Sequence, residues 1–467
     1  MDEVRDGRPP AALFPNALVL MLTLCLGEGI YALNSFLVST SLPSAVIELG
    51  GAALIGWAFT VYLVAAIVGG ASAGFLKARL GARRLLIWPA IVFLAGTLLA
   101  SEASSMITVL VGRTLQGLGE GIIAAACYVL VAEFLPPRLV PRFFGLIAVT
   151  WAGCAFGGPL LAGFVTETWS WRAAFLMNVP LILIFMGLVL AIIPPGRGGA
   201  AKGMPPLGRL AAIAAGIMLI AVAGLQSQWW LTAGLVGLAI AMLAGIVLLD
   251  KRSRYRLFPS DAFSLASTVG AGLWVALLMP VAQASTSVYL PLSLQRLWDY
   301  SPTEAGFVSA LMALSWSAAA FAVSFVSRAP WPRRLVRSGP LLLVLGLAGA
   351  ALALLSELPW VLIGAQIAIG CGFGISWAFL SQAIMTSARP GEQDLASGLV
   401  PTTQSAGYAI GAATAGIIAQ AAGFDGDLAP EILAPAMVAV FSASAVMAVG
   451  AWLVSLRVAA TSTEGTA

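Results

Sequence analysis

Charged residues are so widely spaced in this chain that long apolar segments separate them almost from end to end. Only 9% of the 467 residues are charged and 60% are hydrophobic, against about 25% and 45–50% in an average soluble domain. The intervals between charges repeatedly reach the roughly 17–25 residues that a helix needs to cross a bilayer. This spacing predicts an integral membrane protein with many spans, and it argues against soluble enzymes, nucleic-acid binders and secreted scaffolds.

The residue types that hold metals and cofactors are scarce. The sequence contains no histidine, which excludes imidazole ligands and histidine acid–base catalysis. The four cysteines, Cys25, Cys127, Cys154 and Cys371, lie in apolar segments without CxxC spacing, so a disulfide framework or a haem, zinc or iron–sulfur site is not expected. No GxxxxGK[ST] loop occurs, which argues against ATP as the energy source. We therefore expect no cofactor, no metal site and no enzyme activity.

Fourteen apolar segments bounded by charges, prolines or glycine clusters are long enough to form spanning helices. None alternates apolar and polar residues as a barrel strand does, which predicts an all-α polytopic membrane protein. The predicted spans cover residues 14–44, 53–76, 85–101, 106–132, 143–166, 173–194, 208–226, 229–249, 262–292, 303–326, 338–356, 360–387, 394–421 and 432–456.

The basic residues fall on one side of these spans. All but Arg113, Arg172 and Arg296 lie at the termini or in connections that follow even-numbered spans. Loops rich in Lys and Arg stay in the cytoplasm, so both termini are predicted to be cytoplasmic. Acidic residues occupy the opposite loops. Because one missed or invented span would destroy this agreement, it also supports an even number of spans.

The fourth and twelfth spans contain a repeated glycine pattern. Gly117, Gly119 and Gly121 return as glycines 253 positions later, and the same offset relates the fifth span to the thirteenth. The alternative is that glycine-rich helices resemble each other by composition alone. A repeat predicts two parallel six-helix bundles that place a binding site between them near the midplane. We assign residues 1–195 and 262–467 to the bundles and residues 196–261 to an inserted two-helix segment with cytoplasmic linkers.

Five motifs occur in order along these spans, and together they resemble the major facilitator superfamily, most closely its fourteen-span drug:proton antiporter branch. The resemblance implies a major facilitator fold, alternating access and export driven by protons. It also implies conformational roles for Arg79, Gly81 and Arg83 in a loop motif, and for Gly158 and Pro159 in the fifth span. The motifs are LNSFLVSTSLP (33–43), GFLKARLGARR (74–84), GRTLQGLGEG (112–121), GCAFGGPLLAG (153–163) and WRAAFLMNVP (171–180).

Two positions depart from that resemblance. It implies acids in the first-span motif and in the loop motif, where this chain has Asn34 and Ala78, the latter next to Lys77. The cytoplasmic charge relay of the family is therefore expected to be weakened or rebuilt here. Because neither position has the acid that the resemblance implies, the resemblance does not assign proton coupling to Asn34 or Ala78.

Three charged residues lie deep in predicted spans, where each costs at least about 2.5–3.5 kcal/mol at the centre and so suggests function. Glu28 is in the first span, and Arg113 and Glu120 are in the fourth. Arg113, Gln116 and Glu120 share one helix face. Arg113 and Glu120 are about 10 Å apart along the axis, which is too far for a close direct pair. We therefore expect Arg113 to face Asn34 or Glu28 on the first span.

We interpret Glu28 and Glu120 as proton-coupling sites that work with Arg113. Burial disfavours a carboxylate and a nearby arginine favours it, and this competition suits a proton-coupled switch. Two alternatives remain open. One is a fixed ion pair between the first and fourth spans, and the other is an acid that binds cationic cargo.

Aromatic and amide residues supply the predicted substrate cavity. Rings with a few amides suit a bulky, partly apolar solute, although helix packing or an interfacial belt is the alternative for each ring. The predicted substrate-binding residues are Asn34, Tyr31, Trp57, Gln116, Trp151, Trp377, Gln404 and Tyr408, and further cavity candidates are Tyr62, Tyr128, Gln283 and Trp316.

The sequence thus predicts a monomeric secondary transporter of the bacterial cytoplasmic membrane. Its expected partners are a small-molecule substrate, protons and the lipid bilayer, with no nucleic acid. The predicted function is export of drug-like or amphipathic molecules. The alternative is an importer or facilitator of a metabolite in which Glu28 and Glu120 bind cargo.

Overall fold

The computed structural model of the protein describes residues 17–135, 139–195, 207–226, 228–253, 256–323, 331–390 and 392–458. Within these ranges all regular elements are helices and no strand is present. The predicted location of the two termini lies outside the described residues, as do several of the basic residues on which that prediction rests.

The first half of the chain, α1 to α7, forms one set of packed helices. A 3₁₀ turn, Ala52–Leu54, precedes α2. The helices are α1 Ala17–Leu49, α2 Ile55–Leu80, α3 Ala82–Ser101, α4 Met106–Phe134, α5 Val140–Thr168, α6 Trp171–Leu176 and α7 Asn178–Ile192.

Two further helices, α8 and α9, lead to the second half, α10 to α15. The bounds are α8 Leu207–Ala223, α9 Trp229–Lys251, α10 Thr268–Leu297, α11 Pro302–Val323, α12 Trp331–Ser356, α13 Pro359–Thr386, α14 Gln393–Ala421 and α15 Pro430–Ser455.

Twelve helical segments in the described ranges are long and apolar enough to cross a membrane. Helices α6 and α7 together make one of them, Trp171–Ile192. The two other predicted spans coincide with α8, which has 17 residues, and α14, which has 29, but neither belongs to that set of twelve. The prediction of an all-helical, many-spanning protein is confirmed, while the count of fourteen spans stays a prediction.

The helix limits differ from the predicted ones where polar residues extend or interrupt an apolar segment. Helix α12 begins at Trp331 rather than at residue 338 because its first turns carry arginines that hydropathy does not detect. Helix α10 begins at Thr268 rather than at residue 262, since the Ser267 side chain caps it by accepting from Gly270 N at 3.0 Å. The predicted span 173–194 is divided at Met177 into two helices.

The repeated glycines of α4 and α13 make equivalent contacts. A Cβ at Gly117 would lie 2.1 Å from the Tyr62 carbonyl oxygen of α2, and one at Gly370 would lie 2.0 Å from that of Met312 on α11. Helices pack this closely only where one residue has no side chain. The repeat in sequence is therefore a repeat in packing. The same correspondence relates Gly121 and Ala66 to Gly374 and Trp316, and Gly119 and Phe93 to Gly372 and Leu343.

The largest apolar core among the described residues contains residues of both halves and lies at one end. This core includes Leu42 and Ala58 of the first half together with Leu290 and Ala412 of the second. A second core consists only of residues between 20 and 193, and a third only of residues between 262 and 458. The halves are therefore closed against each other at the end that carries the α1–α2 connection, which we call the closed end.

Helices α8 and α9 lie against one seam between the halves. Ile217 of α8 packs in one cluster with Val64 of α2 and Ala409 of α14. A neighbouring cluster joins Ala221 of α8 and Ala239 of α9 to α14. The inserted pair thus covers the α2–α14 seam, whereas α5 and α11 meet at the other seam.

Candidate functional site

Glu120 lies fully buried where α1, α2 and α4 meet. Its Oε2 accepts a hydrogen bond of 2.7 Å from the Tyr62 hydroxyl and one of 2.9 Å from Asn34 Nδ2. Its Oε1 has no partner among the described residues. The carboxyl group is therefore held through one oxygen by two neutral donors.

Asn34 is itself oriented by Asn178, the first residue of α7. Asn178 Nδ2 donates to Asn34 Oδ1 at 3.2 Å and to Phe175 O at 3.3 Å, and both asparagines are fully buried. Because the Asn34 carbonyl oxygen receives this bond, its amide N–H groups face Glu120. Sequence analysis did not select Asn178, and its place in the motif at residues 171–180 was the only available signal.

The described contacts of Arg113 are with α2 and α4 and not with Asn34 or Glu28, so the prediction that it faces those two residues is wrong. Its guanidinium lies 3.9 Å from the centre of the Tyr62 ring, and its Nε donates to Ala58 O at 3.3 Å. In the described part of the chain no ion pair joins it to Glu28 or Glu120. The physical reason is that Tyr62 of α2 contacts Arg113 with its ring and Glu120 with its hydroxyl. The alternative of a fixed ion pair between α1 and α4 therefore also fails.

Gln116, a predicted substrate residue, supports Arg113. Its Oε1 accepts from Arg113 Nη1 at 2.8 Å, and its Nε2 donates to Thr97 Oγ1 on α3 at 2.9 Å. The side chain is fully buried, and both of its polar ends have protein partners. This geometry favours a role in holding Arg113 over direct contact with cargo.

Glu28 is enclosed by aromatic side chains. Its Oε1 accepts from the Tyr128 hydroxyl at 3.2 Å, and Trp151 lies beside the same carboxyl group. The side chain is 4% exposed, and Oε2 has no partner among the residues that the structure describes. Glu28 and Glu120 are thus two buried acids in different surroundings.

Tyr31 connects the surroundings of the two acids. Its ring meets the Trp151 ring edge-on, with centroids 5.9 Å apart, and stacks on Tyr62 at 6.3 Å. Its hydroxyl interacts with Ser405 of α14. One aromatic group therefore extends from Glu28 toward Glu120 and faces the second half.

Helix α14 contributes the predicted pair Gln404 and Tyr408, whose side chains are hydrogen-bonded to each other. Tyr408 is also close to Tyr31. The structure therefore brings these two residues to the side of α14 that faces α1.

Other predicted cavity residues lie elsewhere. Trp377 packs against Phe373, with centroids 5.8 Å apart, and 6.4 Å from Trp316, so it forms an aromatic group inside the second half. Gln283 is buried on α10. Trp57 lines a small cavity of about 10 Å³ with residues of α8 and α14. These residues are not brought into contact with Glu28 or Glu120.

The second half has no ionisable counterpart of the α4 residues. The offset of 253 that relates the glycines places Gln366 opposite Arg113 and Phe373 opposite Glu120. Gln366 is 1% exposed, and its Nε2 lacks a partner among the described residues. Glu28 and Glu120 are both in the first half.

The residues of the loop motif connect α2 to α3. Gly81 has φ 75° and ψ 167°, a conformation that favours glycine, and its N–H donates to Lys77 O at 2.9 Å. Arg83 Nη2 donates to Leu190 O on α7 at 2.9 Å. Arg79 stacks on the Phe75 ring of its own helix at 4.6 Å.

Gly158 and Pro159 lie where α5 contacts both α1 and α11. A Cβ at Gly158 would lie 2.8 Å from Phe36 Cβ, and a Cβ at Gly306 would lie 2.4 Å from Pro159 O. Near the same end, Thr303 Oγ1 donates to Glu167 Oε2 at 2.6 Å. These contacts between the halves lie toward the closed end.

The linker after α9 is held by two carboxylates. Asp250 pairs with Arg209 of α8 and accepts from Leu257 N at 2.8 Å. Glu392, before α14, accepts from Ser260 N at 3.0 Å. Burial opposes ionisation of Glu392, but the Ser260 donors and the nearby Arg256 and Arg389 outweigh it and hold the pKa of this carboxyl below its usual value.

A sequence model of the Major Facilitator Superfamily matches residues 24–412 and 273–464. A protein named "Probable multidrug-efflux transporter" from Mycobacterium tuberculosis is 31% identical over 428 residues, which cover 88% of this chain and 89% of that protein. An uncharacterized transporter of Escherichia coli is 24% identical over 443 residues, which cover 94% and 96% of the two chains.

Solved structures of transporters share the fold. A peptide transporter in complex with alafosfalin superposes with a TM-score of 0.68 at 17% identity, covering 98% of this chain and 96% of the other. A D-xylose–proton symporter gives 0.62 at 13% identity, with 92% and 96% covered. Family match, relatives and architecture agree, and the chain therefore belongs to the Major Facilitator Superfamily, as a multi-pass membrane transporter and not an enzyme.

Proposed function

We propose that this transporter exports drug-like or amphipathic molecules across a bacterial cytoplasmic membrane in exchange for protons. The observation that carries the proposal is the buried carboxyl group of Glu120, which is held by neutral donors from two other helices. The naming of the mycobacterial relatives as multidrug-efflux transporters supports export as the direction.

Glu120 is suited to gain and lose a proton because no cation among the described residues forms an ion pair with it. The nearest arginine, Arg113, is separated from it by the Tyr62 side chain. A buried carboxylate without an ion-pair partner is costly, and this cost changes when the site opens to water. Asn34 occupies the position at which the branch has an acid, and in this proposal Glu120 replaces that acid as the titrating group.

We further propose that all fourteen predicted segments cross the membrane with both termini in the cytoplasm, as the distribution of basic residues favours. The closed end is then periplasmic, and the structure represents a cytoplasm-facing state of an alternating-access cycle. In this cycle residues 1–195 and 262–467 move against each other as the two bundles of a monomer, while residues 196–261 cover one seam. Arg79, Gly81 and Arg83 act at the cytoplasmic end and Gly158 and Pro159 at the α5–α11 contact.

Cargo binds, in this proposal, between α1 and α14. Tyr31 and Trp151 on one side and Gln404 and Tyr408 on the other combine flat apolar rings with a few polar groups, which suits amphipathic molecules. Trp57, Trp377 and Gln116 lie outside this group and are weaker candidates.

A second candidate function has its own supporting observation. Glu28 is surrounded by Tyr31, Tyr128 and Trp151, and aromatic rings around a carboxylate suit an organic cation. In that case Glu28 binds cationic cargo and the protein works as an importer or facilitator without proton exchange.

The test is substrate-driven proton movement in proteoliposomes. We expect Glu120→Gln to abolish it and Glu28→Gln to reduce it, while Glu357→Gln, in an exposed turn outside the spans, leaves it unchanged. Unaltered proton movement in both buried variants would refute the coupling. If Glu28→Gln removes transport of cationic cargo alone and leaves neutral cargo unaffected, the cargo-binding role of Glu28 is correct instead.

A further inference from the structure

A surface groove of about 580 Å³ lies between α3 and the end of α7. Arg83 and Arg84 line it at the first turn of α3. Apolar side chains line the remainder, Ile87, Trp88 and Ile91 from α3 and Leu190 from α7. The groove therefore has a basic end and apolar walls.

The apolar walls are exposed to the surroundings of the protein. Trp88 is 57% exposed and Leu190 is 47% exposed. Arg84, Trp88 and Ile91 follow the spacing i, i+4, i+7, which places them on one face of α3 over a rise of about 10 Å. A polar group at the basic end can therefore continue into an apolar chain that follows the same face toward the middle of the membrane.

Among the described residues that line the groove, none is acidic, so the two arginines have no compensating carboxylate there. Arg83 donates to Leu190 O at 2.9 Å, which joins the two walls. Arg84 is exposed on the same turn. Arginines bind phosphate oxygens strongly and with defined geometry, and basic pockets between spanning helices on the cytoplasmic side bind anionic lipid headgroups.

We propose that this groove binds an anionic phospholipid, with the phosphate at Arg83 and Arg84 and an acyl chain along Trp88 and Ile91. The charge of the groove selects an anionic headgroup over a zwitterionic one, and its apolar walls select a lipid over a soluble phosphate. The bound lipid connects the loop motif at the start of α3 to the end of α7.

The second half provides a matched control. The packing offset of 250 that relates Gly96 to Gly346 relates Arg83 and Arg84 to Arg333 and Arg334 at the start of α12. Arg337 and Ser338 stand there in place of Ile87 and Trp88. The same pair of charges is therefore present at the start of α12, but Leu341, at the position of Ile91, is the only one of these three α3 wall positions that remains apolar.

Native mass spectrometry of the purified full chain tests the proposal, with dioleoylphosphatidylglycerol and dioleoylphosphatidylcholine as probes. We expect preferential binding of the anionic lipid. Arg84→Gln should weaken that binding about fivefold, as expected for one basic residue near a headgroup, and Arg84→Lys should largely preserve it. Trp88→Ala should weaken the binding of both lipids, and Arg334→Gln should change neither.

Equal binding of the two lipids by the unmodified protein would overturn the proposal. Equal weakening in Arg84→Gln and Arg334→Gln would also overturn it, because the attraction would then be a general effect of surface charge. Retention of the elution volume of the folded monomer in size-exclusion chromatography, together with the Arg84→Lys variant, separates loss of the site from loss of the fold.

Discussion

In the first half, α4 carries Arg113 and Glu120, whereas in the second half α13 carries Gln366 and Phe373 at the equivalent positions. The backbones nevertheless pack alike, because glycines at matching places let α4 approach α2 and let α13 approach α11. Small residues thus determine how the helices of both halves fit together. Of the two helices, only α4 carries charged side chains at these positions, where the proposed coupling needs them.

The residues on the neighbouring helices that face these positions also differ between the two halves. Tyr62 of α2 supplies a ring to Arg113 and a hydroxyl to Glu120, while the equivalent Met312 accepts a hydrogen bond from Gln283 at 3.3 Å. A duplicated framework can therefore hold different chemistry in its two copies. The following predictions test this division between shared packing and separate function.

The largest effect is expected from filling the shared helix contact. Gly117→Val and Gly370→Val should each destabilise the protein by about 3 kcal/mol or more, since a Cβ would collide with backbone in both halves. Thermal unfolding of the purified variants measures this loss. Gly234→Val on α9, where a Cβ meets nothing within 4 Å, is the control. A large loss in one half only would contradict equivalent packing.

Substitutions at the matched positions Arg113 and Gln366 should affect transport only when they are made in the first half. Arg113→Gln, which introduces the residue of the second half, should reduce transport by at least about tenfold, which corresponds to a rate-limiting barrier that is higher by about 1.4 kcal/mol. Its ring contact and its bond to Gln116 are lost. Gln366→Leu should retain near-normal transport in the same proteoliposome assay. Comparable losses in the two variants would remove the functional asymmetry.

The hydroxyl group of Tyr62 should be energetically coupled to Glu120. Tyr62→Phe keeps the ring under Arg113 and removes the donor at 2.7 Å, so a double-mutant cycle with Glu120→Gln should give about 1–2 kcal/mol in unfolding stability. The analogous pair in the second half, Met312→Leu with Phe373→Leu, should give a value near zero. Additive effects in the first pair would show that the hydroxyl does not support Glu120.

The smallest effect concerns a carboxylate that only the second half has. Glu392 corresponds to Leu139 in the first half, and the pKa of Glu392 is lowered in the folded protein. The folded state therefore binds this proton less readily than the unfolded state, so its contribution to stability is present above about pH 4.3 and declines as the pH falls further.

Glu392→Gln should accordingly lower the Tm slightly at neutral pH, and the difference from the unmodified protein should shrink as the pH falls below about 4. Calorimetry at several pH values measures both. A difference in Tm that stays constant over this range would show that the negative charge of Glu392 is not responsible. Glu357→Gln, in an exposed turn, serves as the reference for losing a carboxylate at the surface.

The sequence predicted the helices and their repeat, because the apolar length of a span and the spacing of small residues are local properties. The sequence also predicted that Glu28, Arg113 and Glu120 lie deep in their spans, because their positions within the apolar segments are local properties too. The predicted helix ends were wrong where a capping side chain or a polar helical turn sets the end, as at Ser267 and at the start of α12. Those ends extend beyond the apolar segment or are set by a single side chain.

Only the tertiary structure decided which groups meet. Arg113 contacts Tyr62 instead of Asn34 or Glu28, and Asn178 orients Asn34. Trp57 and Trp377 lie away from Glu120. These outcomes depend on the rotation of each helix about its axis and on its neighbours, which close backbone packing between distant segments sets. A single sequence shows that a residue lies in the membrane, but the partner of that residue comes from a helix far away in the chain.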